Sequence, residues 1–351
     1  MKGMSPVKWK KSDIFALMVG HGKSLDGSWD PGCTYGKYNE AALMYDIVRI
    51  AVKWLRKSGV KVITDADDAN NRNMKSSINW SNNRGARVYM SVHCDYRDAS
   101  SGVNPLVKTS ADYKFGNQVG KYIAKYMKMK MKGPTKRTDL YELNASKANA
   151  NVILETGSIK ADLQKLRDYK RYGKILAKAI CNYIGVPFYV SNRTKLRRKT
   201  AFVVAYMNRH HFKYTRSWTD CGMSWKEAKK KKKSNCSCMI SYAMQLCGFL
   251  KPGQIFWING ERVICKGKGT KKQLLSVAKI SHPNKSPKKA GLKKGDIVGY
   301  QNNAHTMEFE EWRKDGLPRW YSWGPSDVGK KQPRRKKNYD KKKINTIIRL
   351  K

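Results

Sequence analysis

RVYMSVHCD, residues 87–95, is the stretch from which the fold of this chain is read. Arg87 to Val92 has the length and mainly apolar character of one buried strand, and it delivers His93 at its carboxyl end. Upstream, Ile14 to Val19 (IFALMV) is a second buried-strand candidate that runs into Gly-His-Gly, so His21 again follows a strand on a glycine-rich loop. Downstream, Asn151 to Glu155 (NVILE) repeats the arrangement with a glutamate. Between these runs lies Asn39 to Ser58, where Ala42, Leu43, Ile47, Val48, Ala51, Val52 and Leu55 recur at helical spacing and Gly59 supplies a stop. A strand over Val60–Thr64 and helices over Phe115–Met129 and Asp162–Tyr183 complete the alternation. Strands that end in functional residues and are separated by helices predict an α/β domain. Its twisted, mostly parallel sheet is flanked by helices, and its site lies at the strand ends. Glu40, in YNEAAL, falls in the first turn of the helix facing that edge.

His21, Glu40 and His93 are a donor set of two imidazoles and one carboxylate. Around an open fourth position this is the composition of a catalytic zinc site rather than a closed structural one. Glu155 is left over, and a water activated by such a metal needs a proton acceptor of this kind. Each of the four taken alone is weak evidence: a single histidine in a loop is more often structural, and a glutamate at a helix start more often serves the helix dipole. Cys94, next to His93, points to the opposite face of its strand and reads as core.

Composition restricts the partners. The 351 residues, 40% hydrophobic, suffice for two domains with cores of their own, and 73 Lys plus Arg against 26 Asp plus Glu give a net charge of +47. That field favours polyanions. Apart from Lys229–Lys233 and the region 314–343, the excess is spread along the chain. There is no zinc-finger spacing, aromatic RNA-binding signature or recognition-helix pattern to make nucleic acid a specific target. Neither a signal peptide nor a membrane span is legible. Eight scattered cysteines suit reduced thiols more than a disulfide framework.

The order of these phrases, GHG, a glutamate on a helix after a Pro-Gly loop, a Val-Lys-Val-x-Thr strand over 60–64, Ser-x-His, an Asp-Leu-Tyr segment at 139–141 and a strand ending in Glu, resembles the zinc-dependent N-acetylmuramoyl-L-alanine amidases over roughly residues 10–187. The resemblance implies that His21, Glu40 and His93 hold Zn2+, that Glu155 is the catalytic base, and that the bond cut joins the lactyl group of muramic acid to the first alanine of the stem peptide. Asp65 and Asp95 depart from the family, which often has an arginine and an asparagine there.

After Pro187 the pattern changes. SNRTKLRRKT, 191–200, is polar and basic, so residues 190–198 are expected to be a linker between an amidase domain over 1–189 and a second domain over 199–351. In SNCSCMISYAMQLCGFL, 234–250, Asn235 or Ser234 is a natural cap, Cys236 falls in the first turn of a helix, and Gly248 stops it. The positive end of a helix lowers a thiol pKa, as a nucleophile requires. GLKKGDIVGYQNNAHTMEF, 291–309, then brings His305 at the start of a strand. This half resembles the NlpC-type and CHAP-type cell-wall cysteine peptidases, over roughly residues 198–351. The likeness implies an α+β papain-like fold with Cys236 as nucleophile and His305 as base. Asp327 is the first choice for the orienting residue, with Ser322 and Glu308 behind it.

Together these expectations describe a two-headed peptidoglycan hydrolase of the phage endolysin or autolysin kind. It would be made in a bacterial cytoplasm without its own export signal and act on the wall after release, its basicity binding teichoic acids and other wall anions. The alternatives are an amidase whose second half only binds the wall and, from another class, a basic polyanion-binding protein with degenerate enzyme folds.

Overall fold

Six strands form the sheet of the N-terminal unit: β1 (Ile14–Val19), β2 (Lys61–Ile63), β3 (Val88–Asp95), β4 (Asn104–Val107), β5 (Thr135–Lys136) and β6 (Ala150–Ser158), in the order β2-β1-β3-β6-β4-β5. β1 pairs in parallel with β2 and β3, and β6 in parallel with β3, while β4 is antiparallel to β6. The sheet is therefore mostly parallel, and its central strands β1, β3 and β6 all run toward one edge. The computed structural model describes residues 9–67, 73–259, 261–300, 305–323 and 343–351. The chain divides into two compact units, Met1–Tyr189 and Val190–Lys351.

Period-two alternation explains the layers. Phe15, Leu17 and Val19 of β1 enter the core formed with helices α1 (Glu40–Lys57), α3 (Ser110–Met127) and α6 (Tyr169–Ile184). Ala16 and Met18 face Ile78 of α2 (Met74–Asn83) on the other side. α1 buries Met44, Ile47, Val48, Ala51, Val52 and Leu55, a stripe that stabilises the unit by roughly 1.5–3 kcal/mol for each large side chain. Asn39 starts this helix by accepting the Ala42 N–H at 2.9 Å, and Arg56 and Lys57 sit at its negative end. The helix expected over 162–183 is two helices, α5 (Leu163–Arg167) and α6. Asp168 interrupts them because it ends the first turn and caps the second through Arg171 N.

In the C-terminal unit the expected linker over 190–198 is not a linker. Helix α7 runs Asn192–Arg209, capped by Ser191, whose side chain accepts the Thr194 N–H. Leu196, Thr200, Val203, Val204 and Met207 form its buried stripe. Lys195, Arg198 and Lys199 are exposed beside it, which is why the stretch reads as polar when composition is averaged. α7 packs on α10 (Cys236–Leu246), after short α8 (Trp218–Cys221) and α9 (Trp225–Lys231). A hairpin, β7 (Ile255–Asn259) with β8 (Arg262–Lys266), and helix α11 (Thr270–Val277) follow. The sheet comprises β9 (Ala278–Ser281), β10 (Ile297–Tyr300), β11 (Thr306–Trp312), β12 (Pro318–Tyr321) and β13 (Ile344–Leu350), in the order β9-β13-β10-β11-β12. Its pairings are antiparallel throughout. Among the described residues no helix is long and apolar enough to cross a membrane.

Candidate active sites

The parallel strands bring the first constellation together. His21 follows β1, His93 ends β3, and Glu155 on β6 is the register partner of His93. Glu40 reaches them from the first turn of α1. One side-chain atom from each of His21, Glu40 and His93 lies within 4.8 Å of the others. His21 Nε2 is 3.5 Å from Glu40 Oε2 and His93 Nδ1 is 3.0 Å from Glu40 Oε1. Ligand atoms about 2.1 Å from one tetrahedral ion are about 3.4 Å apart, so the donor set and its spacing fit a zinc ion.

Each imidazole also has a carboxylate at its far nitrogen. Asp30 Oδ2 is 2.7 Å from His21 Nδ1, and Glu142 Oε2 is 3.6 Å from His93 Nε2, which has no hydrogen-bond partner among the described residues. Such partners fix the tautomer and ring orientation of metal-binding histidines. Neither acid was singled out in the sequence. Asp30 lies in Trp-Asp-Pro-Gly, where only the following turn is legible, and Glu142 sits in the five-residue helix α4 (Tyr141–Ala145), far from His93 along the chain. Glu142 is 5% exposed and also accepts Ser91 Oγ at 3.0 Å.

Backbone amides fix Glu40 as well. Cys33 N and Cys94 N donate to its two oxygens, each at 3.0 Å. Burial works against its charge, but the His93 hydrogen bond, the positive field of both histidines and the Cys33 N–H outweigh it and hold the carboxyl down at about 2. His93, buried between Glu142 and Glu40, is held well above the ordinary histidine range although burial alone pulls the other way. Glu155 is pushed up to about 7, first by burial and then by Glu40 and Asp95, against the opposing His93 and Lys132. Its Oε2 is buried with no hydrogen-bond partner among the described residues.

Two glycines are required by the close packing here. A Cβ on Gly20 would lie 2.3 Å from the His93 ring, and one on Gly32, where φ is +64°, would lie 2.6 Å from Glu40 Oε2 and 2.7 Å from His21 Cδ2. An open cavity of about 550 Å³ lies over His21 and His93, bordered by Lys23, Leu25, Asp30 and Met74. Cys94 is buried in the core cluster, yet its Sγ is 3.8 Å from that of Cys33.

The second constellation is in the C-terminal unit. Cys236 is the first residue of α10, and Asn235 caps that helix by accepting the Cys238 N–H at 2.9 Å. Burial raises the Cys236 thiol, but the His305 charge and hydrogen bond, the Thr306 N–H (3.4 Å) and Ser237 bring it below the usual cysteine range. His305 Nε2 is 3.0 Å from Ser322 Oγ. Ser322, one of the alternatives to Asp327, thus lies within hydrogen-bond distance of His305, while Asp327 lies outside the described residues. Glu308, the other alternative, is buried and accepts the Thr200 hydroxyl. A cavity of about 560 Å³ opens on Cys236 between Tyr214, Arg216, Trp218 and Trp257.

No curated protein is a significant match to the chain. Solved structures similar to its N-terminal half include the catalytic domain of CwlV, an N-acetylmuramoyl-L-alanine amidase from Bacillus (Paenibacillus) polymyxa var. colistinus (21% identity, 50% of this chain and 99% of that one, TM-score 0.44). The amidase AmiC2 of Nostoc punctiforme (20%, 50% and 98%, 0.44) and the catalytic domain of the CD27L endolysin targeting Clostridia difficile (19%, 48% and 97%, 0.42) are similar over the same half. Residues 16–185 match the family model of the N-acetylmuramoyl-L-alanine amidases, and this segment is the amidase-type domain of the chain.

Proposed function

We propose that the chain is a bifunctional peptidoglycan hydrolase. The observation that carries the first activity is the convergence of His21, Glu40 and His93 at the parallel strand ends, with Glu155 on the neighbouring strand. These three residues would hold a zinc ion, whose chemistry when bound is to polarise the scissile carbonyl and acidify water. Asp30 and Glu142 orient the two imidazoles, and the Cys33 and Cys94 amides orient Glu40. Glu155, whose buried Oε2 has no hydrogen-bond partner among the described residues, accepts the proton of the attacking water and returns it to the departing alanine amine. The bond cut is the amide between the muramoyl lactyl group and L-alanine.

The second activity is thiol-dependent cleavage of a stem or cross-bridge peptide bond in a papain-like site. Cys236 attacks the carbonyl, His305 carries the proton to the leaving amine, and Ser322 orients His305; the helix start and the lowered thiol pKa support this reading. The chain would reach the wall after release from the cytoplasm, as endolysins do, and hold to anionic wall polymers by its charge.

The test is mass spectrometry of soluble products from purified peptidoglycan treated with wild type, Glu155→Ala and Cys236→Ala. Glu155→Ala should abolish free stem peptides with an amino-terminal L-alanine, and Cys236→Ala should abolish an internal peptide cut alone. Stem peptides released undiminished by Glu155→Ala would overturn the first reading. Unchanged products with Cys236→Ala would make the C-terminal unit a wall-binding module.

A further inference from the structure

Cys33 and Cys94 are separated by 60 residues of chain, yet their sulfurs meet at 3.8 Å beside Glu40. They are the two residues whose backbone N–H groups hold the Glu40 carboxylate, Cys33 on Oε2 and Cys94 on Oε1, both at 3.0 Å. Cys33 Sγ also lies 3.5 Å from the Cys94 carbonyl and 3.6 Å from that of Asp95, so the thiol is held against the end of β3. Both cysteines are free thiols; Cys94 is buried at 3% exposure, and Cys33 is partly exposed. Solvent thus reaches one member of the pair and the core protects the other.

We infer that Cys33 and Cys94 are an oxidation site, forming a reversible disulfide that fastens the carboxylate cradle of Glu40. Its consequence for metal rests on the reading of Glu40 as a ligand; the bond itself does not. The oxidant is a low-molecular-weight disulfide such as oxidised glutathione. The Cys33 sulfur, as thiolate, attacks one sulfur of that reagent; a mixed disulfide forms on Cys33 and the first reagent thiolate leaves. The Cys94 sulfur then attacks Cys33 Sγ and expels the second. The two protein thiols lose two electrons and two protons, and the reagent disulfide becomes two thiols. The sulfurs must close from 3.8 Å to about 2.05 Å. That movement falls on the loop before α1, because Cys94 is fixed in a central strand. Once joined, the loop and the strand end can no longer separate, and the two amides stay on Glu40.

The experiment uses the full chain loaded with zinc, reduced or treated with oxidised glutathione. Oxidation should lower the intact mass by two hydrogens, and peptide mapping should join the peptides holding Cys33 and Cys94. Zinc release to excess chelator, followed with a zinc-sensitive dye, should slow on the order of tenfold, the scale on which groups supporting metal ligands act. Both effects should vanish in Cys33→Ser, the informative variant because Cys33 is not in the core; circular dichroism confirms that it folds. Alkylation of both cysteines after oxidation, or links to other cysteines instead, overturns the site. A Cys33–Cys94 bond with release unchanged within about twofold overturns the fastening. If the reduced protein takes up no zinc, the metal reading and the fastening fail together, and the peptide map alone decides the oxidation site.

Discussion

His93 illustrates how much of a candidate metal site lies outside the residues that would bind the ion. Its Nδ1 faces Glu40, and its Nε2 would be left bare in the core but for Glu142 at 3.6 Å. Glu142 is itself fixed by Ser91 Oγ at 3.0 Å and by Tyr89 Oη at 3.4 Å, both from β3, so the acid is tied to the strand that carries the histidine. A nonpolar replacement removes the group that selects the tautomer with Nδ1 free for metal. Glu142→Leu should therefore weaken zinc binding about 10–100-fold, with Glu142→Gln closer to wild type because its amide oxygen still accepts a hydrogen bond. Chelator competition measures both, and the 15N shifts of the His93 ring should change tautomer in the leucine variant. Wild-type affinity in a folded Glu142→Leu protein would mean that Glu142 only fills space.

At the scale of elements, legibility followed periodicity. β1, β3, β6 and α1 carry unbroken apolar patterns, so the sheet and the positions of His21, Glu40, His93 and Glu155 at its edge were readable from the chain. What was not readable depends on contacts across the sequence: Glu142 reaching His93, Asp30 folding back on His21, Cys33 meeting Cys94. The first half of α7 was missed because it is dominated by Arg and Lys, although Leu196, Thr200, Val203, Val204 and Met207 keep one face of the helix apolar. That helix meets β11 through a buried acid: Glu308 accepts the Thr200 hydroxyl and is pushed up to about 8, mainly by burial, with Arg197 opposing. A carboxyl whose folded pKa is raised favours the native state while it is protonated. Its contribution is full below the unfolded value of about 4.3 and is lost as pH rises through about 8. The C-terminal unit should thus lose stability between about pH 5 and 8, at up to about 1.4 kcal/mol per pH unit from this group. Glu308→Gln keeps an acceptor for Thr200 and should flatten that slope. Denaturant unfolding followed across the pH range measures it, and an identical slope in the variant would assign the pH dependence to other groups.

At the scale of the whole chain, the net charge of +47 has to be reconciled with a candidate metal site that is itself rich in acid. Asp30, Glu40, Glu142 and Glu155 gather around one centre in a chain with only 26 acidic residues, so acid is gathered where the proposed metal chemistry would need it. Several of the chain's cations lie over aromatic rings, the Lys174 ammonium at 4.6 Å from the Trp54 ring and the Arg167 guanidinium at 5.2 Å from that of Tyr38. A surface of this kind binds a polyanion by releasing its counterions, and the affinity then falls linearly in log–log form as salt rises. Binding to purified walls, measured by sedimentation with Glu155→Ala and Cys236→Ala combined so that the walls stay intact, should weaken by at least about tenfold between 50 and 200 mM salt, and removing the anionic wall polymers should abolish the salt dependence. Binding that ignores salt would place recognition in the two cavities instead. Salt-sensitive binding that survives removal of those polymers would point to the peptidoglycan's own carboxylates as the anions.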